Sequence, residues 1–249
     1  MAPELCGYCL DSWKYHNPDW DIVILDKDNY RDYCNIGQVL PDLNTNNLDL
    51  GDILRLFLMK DRGGVWVDAT CFCNKPLDSW VHDYPESFVF TRTDKLLASW
   101  FIAGVPDSYL IETWYEHMLK YWNYRISSTD QYQQIYWIHP LFRQIYSQDQ
   151  RFKSIIDSMD KLDCTSNRVD RGKGAHLFAP YTKSYYTPVS DEIRNRIDSK
   201  VDPVYKLSYK VNVEWREKGA KGAITHNNKI MMDYPSDSEL YYLLSTIND

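Results

Sequence analysis

The chain has 249 residues, 44% of them hydrophobic and 25% charged. That suits one large or two small globular domains with a buried core, and it excludes a disordered chain, a collagen-like repeat and a membrane bundle. With 28 Lys and Arg against 35 Asp and Glu, the net charge is −7; an acidic balance without a basic run argues against nucleic-acid binding.

Glu4 to His16 reads as a short helix, with Pro3 suited to its first turn and Leu5, Cys9 and Trp13 recurring at i, i+4 and i+8. Asn17-Pro18-Asp19 stops it, and Trp20 to Asp26 then reads as a buried strand ending in an acid. Asn46 or Asn47 can cap a helix running to about Lys60, with Ile53, Leu54, Phe57 and Leu58 as its apolar stripe. Arg62-Gly63-Gly64 ends that helix, and Val65 to Asp68 follows as a short strand.

Further on, Ser87 to Thr91 and Ser99 to Ala103 read as strands. Asp107 to Tyr124 and Asp130 to Tyr146 read as helices, the second interrupted by Pro140, and Phe152 to Met159 adds a turn or two. The pattern weakens from Asp160 to Pro188. Ser190-Asp191-Glu192 begins a short helix, Tyr205 to Val211 alternates like a strand, and Ser238 to Ile247 is a terminal helix. Strands separated by helices predict an α/β fold.

No stretch approaches the roughly 18 apolar residues of a transmembrane helix. The longest apolar-rich segment, Ile53 to Met59, is interrupted by Arg55. The opening Met1-Ala2-Pro3-Glu4 has no signal-peptide pattern, so a cytoplasmic location is expected, with room for a membrane-associated partner.

The cysteines are Cys6, Cys9, Cys34, Cys71, Cys73 and Cys164. Cys6 and Cys9 have C-x-x-C spacing, but too few residues precede them for the strand of a thioredoxin fold. Cys6, Cys9, Cys71 and Cys73 could supply four zinc ligands, though C-x-C is a poor second half. Buried free thiols in a reducing compartment are the favoured reading.

The segment from Gly51 to Thr70 carries the chemistry. Asp52 and Arg55 lie three apart and can share a helix face. Arg55 sits in an apolar run, where an unpaired charge is expensive. Asp68 ends a short strand, and ligands of open α/β sheets collect at such ends. Asp52, Arg55 and Asp68 could converge on one pocket for hydroxyls, phosphate and a metal or ribose. Equally, Asp52 and Arg55 could be a plain helical ion pair, with Asp68 merely ending a strand.

"DILRLFLMKDRGGVWVDAT" closely resembles the signature of capsular polysaccharide synthesis proteins. These are similar to DXD-containing sugar transferases, a group that includes the yeast initiating mannosyltransferase and the clostridial glucosylating toxins. Pro3 to Leu25, Ser99 to Ala103, the Tyr-Trp-Ile-His-Pro run within Asp130 to Phe142, and Lys206-Leu207-Ser208-Tyr209-Lys210 resemble further parts of the family.

The resemblance implies a single GT-A-like, Rossmann-like domain over residues 1–249 with a mixed central sheet. Residues 1–104 would bind the nucleotide sugar and residues 105–249 would form the acceptor side. Asp52 and Arg55 would hold the donor sugar. Asp68, with Thr70, would contact ribose or a Mn²⁺ or Mg²⁺ ion that neutralises the leaving diphosphate. Thr70 stands where the second DXD acid is expected, and a hydroxyl is a poorer ligand for a hard cation. Lys206 or Lys210 could supply the positive charge instead. The family's usual first strand has no counterpart before the opening helix.

Asp130, His139 and Asp107 are the candidate bases for an acceptor hydroxyl, and His139 could equally be a satisfied core histidine. Trp100, Trp114, Trp122 and Trp137 could line an acceptor groove, although Trp114 and Trp122 have the spacing of packing residues. His176 and His226 read as surface histidines or metal ligands. The leading expectation is a glycosyltransferase acting on a nucleotide-sugar donor and a glycan or polysaccharide acceptor, with room for peripheral association with a membrane-bound assembly complex. The alternatives are a non-catalytic nucleotide- or sugar-binding relative and a dithiol oxidoreductase built on Cys6 and Cys9.

Overall fold

The computed structural model describes residues 4–92, 97–128, 137–159, 162, 164, 173–178, 187–207 and 235–247. The class is α/β, as the alternation predicts, and the described strands pair antiparallel in two small sheets. Two compact units are interleaved along the chain. The first draws on Met1–Ile22, Asp68–Trp80 and Leu162–Asp249, the second on Val23–Val67 and Val81–Lys161. Each unit takes residues from both sides of residue 104. Among the described residues, no helix is long and apolar enough to cross a membrane.

In the first unit, helix α1 (Glu4–His16) packs on strand β2 (Cys71–Cys73). Its stripe of Leu5, Cys9 and Trp13 is buried, as the spacing predicts. Two polar links fix the packing. Trp13 donates its indole N–H to the Cys71 carbonyl at 2.8 Å, and the Cys73 N–H donates to Ser12 Oγ at 2.8 Å. β2 pairs with β5 (Val204–Lys206), Cys71 facing Lys206 and Phe72 facing Tyr205. Helix α8 (Asp191–Asp198) starts on the Ser190 side chain and helix α9 (Glu239–Ser245) on that of Ser238, each accepting from a backbone N–H of the first turn. Ile193, Ile197, Leu240 and Leu243 from these helices join Leu5, Phe72 and Tyr205 in one core.

A polar pocket of about 270 Å³ opens in this unit between His16, Asn74, Asp198, Lys200 and Tyr242. Burial, with the Lys200 ammonium nearby, lowers the His16 pKa to about 4. The unfolded chain therefore binds a proton that the folded one refuses. The stability due to neutral His16 is complete above about 6.5 and is lost as the pH falls toward 4. After allowance for screening in an open pocket, a loss of about 2 kcal/mol is expected. Urea unfolding at pH 7.5 and pH 4.5 measures it, and His16→Asn should flatten the difference. An unchanged slope in that variant would assign it elsewhere.

In the second unit, helix α2 (Tyr30–Tyr33) and helix α3 (Ile36–Val39) occupy the polar connection, followed by helix α4 (Asn47–Arg62). The Asn46 side chain accepts from Leu48 and Asp49 N–H, the cap expected from the sequence. Gly63 ends α4 at a φ of 66° and passes the chain to β1 (Gly64–Val67). β1 pairs with β4 (Leu97–Gly104), and β4 with β3 (Ser87–Thr91). Alternation along the strands sends Trp66, Val89 and Ile102 toward the core shared with α4, while Phe88 and Phe101 turn to the other face.

Helix α5 (Tyr109–Ser127) packs on α4 and is followed by α6 (Ile138–Gln148) and α7 (Gln150–Ser158). Pro140 lies in the first turn of α6, where its missing N–H has no intrahelical partner to lose; residues 130–136 of the expected helix lie outside the described residues. Trp114 and Phe142 are fully buried between these helices.

The expected strand at Trp20 to Asp26 does not form a ladder; residues 21–26 are irregular. A strand needs a hydrogen-bonding neighbour, and none of the described strands pairs with this run. Ile22, Val23 and Ile24 are instead 37%, 51% and 58% exposed. The run ends in a side-chain-closed turn, where Asp28 and Asn29 N–H donate to Asp26 Oδ1 and Asn29 Nδ2 donates to the Ile24 carbonyl.

Candidate functional site

Asp68 follows the last residue of β1 and opens a turn, closed by the Cys71 N–H donating to the Asp68 carbonyl at 2.9 Å. Ala69 faces solvent and Thr70 is buried, so Asp68 and Thr70 flank the turn. β5 extends past them, with Leu207 N–H donating to the Thr70 carbonyl at 2.8 Å. This register delivers the Lys206 ammonium to both side chains: it donates to Asp68 Oδ2 at 3.3 Å and to Thr70 Oγ1. The Asp68 and Lys206 side chains remain 30% and 19% exposed, so the cluster opens to solvent. Burial alone would lower the Lys206 pKa. Cys71, Asp68 and Cys9 act the other way and the net shift is upward.

Within the second unit, Asp52 and Arg55 form the predicted i,i+3 pair at 2.9 Å. Arg55 is turned inward. Its Nε donates to the Gly51 carbonyl at 3.3 Å, its Nη1 donates to the Ser99 carbonyl, and its guanidinium lies 5.5 Å from the centre of the Trp66 ring. Five donors on a planar fork explain how one cation in an apolar run is satisfied. Asp52 is the more accessible partner.

His139 is half-buried in the first turn of α6, and Asp107 is exposed just before α5 at a φ of 63°. Asp130, Lys210 and His226 lie outside the described residues. Trp100, Trp114, Trp122 and Trp137 are all buried, the burial expected of packing residues. His176 sits half-buried in a short 3₁₀ turn, Gly174–His176.

The six cysteines are free thiols. Burial raises the pKa of Cys6 and of Cys9, and pushes Cys73 up to about 12 against a hydrogen bond from Asn17. Cys6 and Cys9 lie within α1, not after a strand. Protonated thiols in that setting are poor nucleophiles, which removes the ground for dithiol chemistry. Among the described residues, no group of three or more His, Cys, Asp or Glu could hold a metal ion.

That bears on the expected Mn²⁺ or Mg²⁺. A hard divalent cation takes about six oxygen ligands, several of them carboxylates or phosphates. Among the described residues one carboxylate and one hydroxyl are available, and an ammonium already bridges them. With the ammonium in place, that donor set is a poor fit to the ion. The residues that sequence reasoning did not connect are Trp66 and the Ser99 carbonyl, which hold Arg55. An aromatic residue two positions after the Gly-Gly turn was the available signal for the first; a backbone carbonyl gives none.

The sequence model of the family described as capsular polysaccharide synthesis protein matches residues 1–225. No curated protein and no solved structure matches the chain.

Proposed function

Because the chain belongs to the capsular polysaccharide synthesis family, we propose that it is a glycosyltransferase of the GT-A type, working on the cytoplasmic side beside a membrane-bound assembly complex. It takes a sugar from a nucleotide-sugar donor and passes it to a hydroxyl of a growing polysaccharide or glycan. The bond between the sugar C1 and the phosphate oxygen breaks, and its electron pair leaves on the phosphate. A new bond forms from C1 to the acceptor oxygen, and the hydroxyl proton passes to solvent or to a base, for which His139 and Asp130 are the candidates.

The observation that carries this reading is the meeting of Asp68, Thr70 and Lys206 in a partly open cluster at the end of the family's signature segment. Asp68 suits a ribose hydroxyl, and Lys206 with Thr70 suits the diphosphate, a role shared with Lys210. By resemblance, Asp52 receives donor-sugar hydroxyls, with Arg55 fixing its carboxylate.

A thermal-shift screen against UDP-, GDP-, dTDP- and CMP-sugars, with and without Mn²⁺, tests the proposal. One nucleotide class should raise the melting temperature by mass action. Asp68→Asn should abolish that shift and lower donor turnover by about 10²-fold. A shift without hydrolysis or transfer would instead identify a non-catalytic binding relative. No shift with any donor would remove the reading.

A further inference from the structure

The cluster around Lys206 disagrees with a metal-dependent transferase in a specific way. In such a site two acidic side chains hold a divalent ion, and the ion meets the diphosphate. In this chain the second position is Thr70, and the space between the two side chains is bridged by the Lys206 Nζ. The ammonium is not a surface side chain that happens to lie near. Its Cα is fixed by the β2–β5 ladder opposite Cys71, and the next residue bonds back to Thr70. Cys71, Phe72, Tyr205 and Leu207 around it are fully or almost fully buried, which limits where the lysine can retreat. A divalent ion on the same two oxygens would face a fixed positive charge at close range and find one carboxylate to offset it.

We infer that Lys206 stands in the place of the divalent cation, so that this chain binds a nucleoside diphosphate without metal. The inference rests on the donor-site reading above. The ammonium and the Thr70 hydroxyl donate to diphosphate oxygens, and Asp68 keeps the ammonium aimed at them. Charge on the leaving diphosphate is then met by a resident side chain, which cannot be chelated away. Lys206 is thus a diphosphate-binding residue held by a strand pairing, and Asp68 is in part its positioning residue.

The test is calorimetric titration of the full chain with UDP, GDP and dTDP, each in excess EDTA and in excess Mn²⁺. The expected result is that the nucleotide that binds does so in EDTA at least as tightly as in Mn²⁺, because the ion occupies the diphosphate oxygens that Lys206 and Thr70 would take. Lys206→Arg should keep EDTA-resistant binding, and Lys206→Met should weaken it at least tenfold. Because Lys206→Met also removes an ion pair, the wild-type chain supplies an independent measurement: the electron-spin resonance signal of free Mn²⁺ should persist on adding protein without nucleotide, and adding protein to a Mn²⁺–nucleotide mixture should not lower it below that of the mixture alone. Binding by the wild-type chain that vanishes in EDTA and returns with Mn²⁺ would overturn the inference and leave the donor site standing. Binding that Lys206→Met leaves unchanged, with its fold intact by circular dichroism, would also overturn it. No binding of any nucleoside diphosphate in either buffer would overturn the donor-site reading itself.

Discussion

Replacing Arg55 by Met should cost the fold about 3–4 kcal/mol, the largest expected effect among the charged residues. Three acceptors each lose a guanidinium donor at once: the Gly51 carbonyl, the Ser99 carbonyl and Asp52 Oδ1. The Met side chain fills much of the same volume, so little of the loss is a cavity. What remains is a mostly buried carboxylate and two carbonyls, each short of one donor. Arg55→Lys keeps the charge but not the fork, and should recover less than half of the loss. Asp52→Asn should cost only about 1 kcal/mol, because the amide oxygen can still accept from the guanidinium. Urea unfolding of the three variants checks the order. If Arg55→Met cost less than Asp52→Asn, the inward clamp would be an incorrect description and the guanidinium would be available to a ligand.

Gly63→Ala should destabilise the second unit by about 3 kcal/mol. A Cβ there would lie 2.6 Å from Pro106 Cδ and 2.7 Å from the Gly104 carbonyl oxygen, at a φ of +66°. One of those neighbours is a ring and the other is backbone, so neither yields cheaply. The adjacent Gly64 provides the control. Its φ is +85°, yet a Cβ would meet nothing within 4 Å, so Gly64→Ala carries the left-handed penalty alone, about 1 kcal/mol. Equal costs for the two variants would show that conformation and not contact fixes this turn. Contact at Gly63 sets how α4 passes into β1, and so keeps Arg55 over Trp66.

Most of the local structure was legible from residue pattern. α1 and β3 match their expected bounds, and Asn46 and Gly63 punctuate α4 as their chemistry predicts. These are short-range signals, written in caps and in 3.6-residue spacing. Trp20 to Asp26 shows where that logic stops. Its apolar run has strand composition, but strand formation also needs a neighbour, and pairing is a property of the whole chain. Pro140 shows a related ambiguity: proline breaks a helix interior and suits a helix start, and composition alone does not place it in the first turn of α6.

The site divided along the same line. Asp52 with Arg55 was readable because three residues separate them along one helix. Asp68 was readable from its place after a strand. That Lys206 would bond to Asp68 and Thr70, 138 and 136 residues away, follows from the β2–β5 register. No local pattern encodes a pairing of that span, and the resemblance suggested only that a C-terminal lysine could serve.

The same long pairing orders events in time. Asn74, just beyond β2, gives its side-chain N–H groups to the Ile197 and Asp202 carbonyls, 123 and 128 residues downstream. A ribosome adding about 5–20 residues per second reaches those partners on the order of ten seconds after Asn74. Helix α4 and strand β1 can pair with β4 within a few seconds of synthesis on that clock, whereas Cys71, Phe72 and Cys73 are made early and wait for β5. Through that interval the nascent chain carries two thiols and a phenyl ring without their strand partner, and the cradle for Lys206 closes only once β5 has been made.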